Sequence, residues 1–250
     1  MRHIITVSLI ISKGIKMKPT ISMINTGTGS VNLNEAIRIT EASRFRMGVT
    51  EFVKLTIESW AHAQTGLYPP TKTFPDDLEV EAKKLVHCLS VLMRQHPGDD
   101  VIGKFLSECN FHLRGTNFYP TPPEIANLMA ALLGDKTSKN ELSFYEACSG
   151  TGSLAMQWVI NLVNTKGVDA LTQAKLTLED IDPLMVQASM LQLLFLFEHI
   201  GASPKSLSIE AIDVLSRKSS KVAYYASSKT EVDDRIYNHK SQSTLEPMTA

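Results

Sequence analysis

Apolar residues recur at helical spacing along the first half of the chain. Over "LNEAIRITEASRFRMGVTEFVKLTIESWAHA", from Leu33, and again over "DDLEVEAKKLVHCLSVLMRQ", they fall three and four residues apart with charges between them. That is the pattern of helices that each bury one face. The prolines of "LYPPTKTFP" cannot continue a helix, so they mark the loop between the two stretches. A shorter helix is predicted in "DDVIGKFLSECNFHL", whose acidic start after Pro97 and Gly98 suits the positive end of a helix dipole.

From Tyr119 to Leu215 the pattern changes to short apolar strands alternating with helices, which predicts an α/β unit with a parallel sheet. "ELSFYE" reads as the first strand and "SLAMQWVINLVN" as the helix after it. "AKLTLEDID" reads as the second strand, followed by "PLMVQASMLQLLFLFEHIG", a long helix opened by Pro183 and closed by Gly201. "KSLSIEAIDVL" is the third strand. From Ser216 onward the chain is polar with only short apolar runs, which predicts a flexible tail. The expected organisation is an N-terminal extension (1–32), a helical domain (33–114), an α/β domain (115–215) and the tail (216–250).

Composition narrows the function classes. The 250 residues are 43% hydrophobic and 20% charged, an ordinary globular balance. A net charge of −1 carries no overall footprint for nucleic acid, so any DNA contact needs a local patch or a partner chain. The early apolar run Ile4–Ile11 is too short to cross a bilayer, and Met17 is an alternative start. Three cysteines (Cys88, Cys109, Cys148) fit a reducing compartment, so a cytoplasmic location is expected.

The candidate chemistry lies in "SFYEACSGTGSLAM", Ser143 to Met156: a strand, a turn with Gly150 and Gly152, then a helix. Such a turn lets backbone approach an anionic or sugar-bearing ligand with no Cβ in the way. The second strand ends in acid where a Rossmann-like unit places the carboxylate that holds ribose hydroxyls, and either Asp180 or Asp182 could serve. Other features are better explained without a ligand. Cys109-x-x-His112 and His87-Cys88 lack a second pair at metal-binding spacing, so no metal site is expected. "NTGTGS" at 25–30 follows no strand and reads as a loop. Cys148 is by default a packing residue of the turn.

Taken together, residues 99–215 resemble the N6-adenine DNA methyltransferases, especially the modification subunits of type I restriction systems and their relatives on mobile elements. "EACSGTG" (Glu146 to Gly152) is similar to their S-adenosylmethionine motif D/E-P-x-x-G-T/S-G, with Ala147 in the place of proline. "LEDIDPLMVQASMLQLL" resembles their E-I-D-P segment, and "IEAIDVL" their I-x-x-G-D-x-L, with Ile212 in the place of glycine. Upstream, "RGTNFYPTPPEIANLMAALL" is similar to G-x-F-Y-T-P-x-x-I-x-x-L-M with Pro120 inserted, and "DDVIGKFLSECNF" to the helix before it. The resemblance implies a partial Rossmann-like α/β methyltransferase core preceded by a helical domain, with S-adenosyl-L-methionine as cofactor. It implies a cofactor site of Phe118, Tyr119 and Thr121 upstream, Glu146, Cys148, Gly150 and Gly152 on the turn, Asp180 at the ribose beside Ile181, and Asp213 near the adenine ring.

One expected part is missing. The family activates a flipped adenine with a D/N/S-P-P-Y/F/W loop after the fourth strand. Beyond the glycine turn this sequence has only Pro183, Pro204 and Pro247, none adjacent to another. Tyr224 and Tyr225 are the adjacent aromatics there, without an amide or proline pair beside them. No catalytic residue is therefore assigned, and the chain is expected to be inactive alone: a split or degenerate methyltransferase working with DNA and a second methyltransferase subunit or as a homo-oligomer. The alternative is a non-catalytic interaction or anti-restriction protein of a phage or mobile element that keeps the fold.

Overall fold

The computed structural model describes residues 32–109, 119–134 and 142–227. Four helices come first: α1 (Leu33–Glu41), α2 (Val49–Thr65), α3 (Asp76–Gln95) and α4 (Val101–Glu108). The first apolar stretch is thus two helices, not one. Between them the Ser43 carbonyl accepts from the N–H groups of Arg46, Met47 and Gly48, and Gly48 enters α2 at φ 83°. Helices α3 and α4 start at the acidic residues that predict them; at α4, Asp100 accepts from the Gly103 N–H at 2.9 Å.

The α/β unit follows as α5 (Pro123–Gly134), β1 (Ser143–Glu146), α6 (Ser153–Lys166), α7 (Val168–Gln173), β2 (Lys175–Asp180), α8 (Pro183–Ile200), β3 (Ser206–Ile212) and β4 (Ser219–Ser227). The sheet order is β1-β2-β3-β4, with β1, β2 and β3 parallel and β4 antiparallel to β3. The chain is therefore an α/β protein with a mainly parallel sheet. Strand β4 corrects the expectation of a tail from 216: nine of those residues form an edge strand, with a bulge opposite Glu210–Ile212. Its sequence, "SSKVAYYAS", reads as polar because only alternate residues meet the core, Tyr224 being buried. The rest of the expected tail, 228–250, lies outside the described residues, as does nearly all of the N-terminal extension.

Helix α8 explains how the segments cohere. It packs on β2, β3 and β4 through one face and on α2 and α3 through another. Surrounded this way, its apolar composition is that of a core helix: it is long and apolar enough to cross a membrane, yet 72% of it is buried within the protein. Trp60 of α2 meets Phe195 of α8 edge-on at 5.8 Å, and Arg94 of α3 lies 4.8 Å above the same ring. Helix α6 covers β1 through Trp158 on Phe144, ring centroids 5.0 Å apart.

Candidate functional site

The turn between β1 and α6 lies at the C-terminal ends of the parallel strands, where open α/β sheets bind ligands. Its shape is set by bonds to β2. The Ser149 N–H donates to the Glu179 carbonyl at 2.9 Å, extending the ladder by one rung past β1. The Gly150 N–H donates to Asp180 Oδ2 at 2.8 Å, and the Asp182 N–H to Asp180 Oδ1 at 2.9 Å. Asp180 thus holds the glycine turn against the end of β2, with lone pairs to spare on both oxygens. The Asp182 carboxylate instead accepts from the Leu184 N–H at 2.9 Å and caps α8. The two candidate carboxylates separate by role.

The two glycines also differ. Gly150 and Gly152 have φ of 52° and 87°, backbone that favours residues without a Cβ. A Cβ on Gly152 would lie 3.0 Å from the Ser189 Cβ of α8, so this glycine serves the seating of the turn on α8. Its neighbour Thr151, 2% exposed, is held by a buried network. Thr151 Oγ1 donates to Asp100 Oδ2, and Gln192 Nε2 donates to both Asp100 Oδ1 and the Thr151 carbonyl, each at 2.8 Å. Gln192 Oε1 in turn accepts from the Ile102 N–H at 2.9 Å. The turn is fixed from both sides, by β2 and by the start of α4. Sequence reasoning did not find this network, although Gln192 left a signal as an amide inside the apolar run "SMLQLLFLF".

Glu146, the last residue of β1, is the unusual group. Burial pushes its carboxyl up to about 8, opposed by a hydrogen bond from the Ala155 N–H and reinforced by the nearby Asp180 charge. Its Oε2 and the Ser149 Oγ are buried with no hydrogen-bond partner among the described residues. Two orphaned polar atoms on one glycine turn are what a polar ligand would satisfy. Beside them Ile181 is 68% exposed at the end of β2, an apolar surface at the same edge.

The other predicted residues fall as follows. Cys148 is exposed on the turn. Asp213 closes the turn from β3 to β4, accepting from the N–H groups of Leu215 and Ser216 at 2.9 and 3.3 Å and from Ser216 Oγ at 2.6 Å. These bonds hold its carboxyl below the usual range. Tyr119 is 75% exposed and Thr121 half-buried in the segment entering α5, and Phe118 lies outside the described residues. Cys88 and Cys109 sit in the helical region, their thiols each pushed up to about 11 by burial; His112 is outside the described residues. Among the described residues no group of three His, Cys, Asp or Glu could hold a metal ion.

No protein-family profile matches the sequence, and no curated protein matches it at a significant level. Among solved structures the chain is similar to one from Listeria monocytogenes assigned to the class I S-adenosylmethionine-dependent methyltransferases, at 16% identity and a TM-score of 0.39, over 66% of this chain and 50% of that one. It is also similar to the type I restriction-modification system methyltransferase subunit from Streptococcus thermophilus, at 13% identity and a TM-score of 0.33, over 69% of this chain and 37% of that one. The matched region spans half or less of each of these proteins.

Proposed function

We propose that the chain binds S-adenosylmethionine on the Glu146–Gly152 turn and acts within N6-adenine DNA methylation, without completing the transfer alone. The observation that carries the binding reading is the buried, unpartnered Oε2 of Glu146 on a glycine turn that Asp180 holds in place. Glu146 suits the cationic end of the cofactor, the spare lone pairs of Asp180 its ribose hydroxyls, and exposed Ile181 the flat face of its base. The bound cofactor would supply an electrophilic methyl group on a sulfonium. What the chain does is hold it, at a turn whose geometry is set before the ligand arrives.

Adenine in DNA as the acceptor rests on the colinear motif resemblance across residues 99–215. Incompleteness rests on chemistry. An exocyclic amine is a poor nucleophile until hydrogen bonds localise its lone pair, and no acid- or amide-Pro-Pro-aromatic sequence follows the turn in these residues. That same observation favours, as a second reading, a non-catalytic protein that keeps the fold to engage a methyltransferase or restriction system.

Calorimetry of the full chain with S-adenosylmethionine tests the binding reading: saturable heat is expected, weakened by roughly tenfold or more in Glu146→Ala. No heat from the wild-type chain would discard it and leave the second reading. Methyl transfer to DNA by the purified chain alone would overturn the incompleteness.

A further inference from the structure

Among the described residues, helix α5 carries an uncovered apolar stripe, and β1 is an edge strand of the sheet. We propose that these two elements join two copies of the chain about a two-fold axis, β1 beside the β1 of the second copy and α5 against its α5.

Helix α5 is apolar on the wrong side for a helix that only packs within the chain. It buries Ala126 and Ala130 against α6, where Asn161 Nδ2 donates to the Ala130 carbonyl at 3.2 Å. Ile125, Leu128, Met129, Leu132 and Leu133 are 42% to 60% exposed. Their spacing, i, i+3, i+4, i+7, i+8, makes one stripe along the helix. Glu124 is the one charge on the whole helix. The stripe exposes on the order of 500 Å² per copy, at the upper end of what a monomer leaves bare and well over half of the ~800 Å² that a stable interface takes from each partner.

Strand β1 supplies the remainder. The Lys175 N–H of β2 donates to the Leu142 carbonyl at 2.7 Å, so by alternation the N–H and C=O groups of Ser143 and Tyr145 point away from β2. Among the described residues nothing pairs with them. The other edge of the sheet is treated differently: the Tyr68 hydroxyl donates to the Ala223 carbonyl at 2.8 Å and accepts from the Ala223 N–H at 3.1 Å, occupying the outward groups at the middle of β4. One edge is capped at Ala223 by a side chain from the "LYPP" loop, and the other has no such cap among the described residues.

Helix α6 touches both elements. That helix stacks Trp158 on Phe144 of β1, meets α5 through Asn161 and also contacts α8. A two-fold axis normal to the sheet at Phe144 would set Ser143 opposite Tyr145 of the second copy, an antiparallel pair that exchanges both backbone bonds. The same axis keeps both helix layers on one face of the joined sheet, so the two apolar stripes meet. An antiparallel crossing of the α5 helices puts the Glu124 charges at opposite ends. Apolar stripe then faces apolar stripe with no like charges opposed, the same patch of each copy meeting itself as in an isologous contact.

The test is sedimentation velocity of the full chain over a concentration series, and it does not involve cofactor. The wild type is expected to dimerise. Leu128→Glu and Leu132→Glu should each weaken the dimer by about thirtyfold or more while the circular dichroism stays unchanged, because both side chains are exposed. Ser143→Pro removes an outward N–H without touching the β2 ladder and should weaken it about tenfold. A wild-type monomer at high concentration would overturn the proposal, whether residues 1–31 or 228–250 or another protein cover the surface. So would a dimer that none of the three variants affects.

Discussion

Thr151 Oγ1 donates to Asp100 Oδ2 at 2.8 Å across 51 residues of sequence, joining the candidate ligand turn to the residue that caps α4. Asp100 is 6% exposed and accepts three hydrogen bonds through its side chain, from Gly103, Thr151 and Gln192. Asp100→Ala should therefore orphan several buried donors together and cost about 2–4 kcal/mol of stability. Gln192→Leu should cost a similar amount, since it frees the Ile102 N–H and the Thr151 carbonyl in the core. Urea unfolding checks both, through a lower midpoint at an unchanged slope.

Asp180 is a structural tie as well as the proposed ribose ligand. In Asp180→Asn one of its two carboxylate acceptors becomes a donor, facing either the Gly150 or the Asp182 N–H. The expected outcome is a loss of about 1–2 kcal/mol in stability along with weaker cofactor binding. Proteolysis or hydrogen exchange at residues 147–152 reports the first and calorimetry the second. Unchanged exchange protection would show that the turn does not depend on this carboxylate.

Glu146 makes stability depend on pH. Its folded-state carboxyl titrates near 8, above the ordinary range, so between roughly pH 4.5 and 8 the unfolded chain binds fewer protons than the folded one. Stability from this group is thus highest below that window and falls as pH rises through it. Glu146→Gln resembles the protonated acid, and its advantage over the wild type should grow across the window to on the order of 4 kcal/mol at pH 8.5. Unfolding curves at pH 5.5 and 8.5 measure it. If a cation binds beside Glu146, binding should also release protons near neutral pH, visible as calorimetric heats that change with buffer ionisation enthalpy.

Glu179 behaves in the opposite sense. It is nearly buried, with the exposed Arg217 guanidinium paired to it at 2.7 and 2.8 Å and the Tyr145 hydroxyl donating at 2.7 Å. The arginine beside it holds its carboxyl below the ordinary carboxylate range despite burial. The stability it contributes is present above that range and lost as pH falls through its folded-state value. Arg217→Ala should accordingly destabilise the protein at neutral pH and matter progressively less in acid, and paired unfolding curves at pH 7 and 3 check this. An effect that does not depend on pH would assign the loss to the β3–β4 turn, where Arg217 sits at φ 56°.

Much of the secondary structure is legible in the sequence because its signals are local. The α3 pattern begins at Asp76 after Pro75 and ends at Gln95 before Pro97, and the helix has those bounds. Pro183 and Gly201 bracket α8 in the same way. The glycine turn and the acid at the end of β2 are also visible, since a strand-turn-helix order follows from short-range periodicity. Strand β4 was hidden because an edge strand on a polar turn has few core-facing residues to show a period. The break between α1 and α2 was hidden because Ser43 carries no local signal until its carbonyl gathers three N–H groups.

The strand–helix alternation from β1 to β3 and the glycine turn after β1 were determined by the sequence itself, through backbone preferences that act over a few residues. Which side chains meet was decided only by tertiary structure. Asp100 reaches Thr151 across 51 residues, and Arg217 reaches Glu179 across 38. Asp180 and Asp182, alike in sequence, part into a tie for the turn and a helix cap. Asp213 becomes a turn residue because β4 folds back beyond it. A carboxylate's role depends on the donors the folded chain brings to it, and those donors come from segments whose proximity no local pattern encodes.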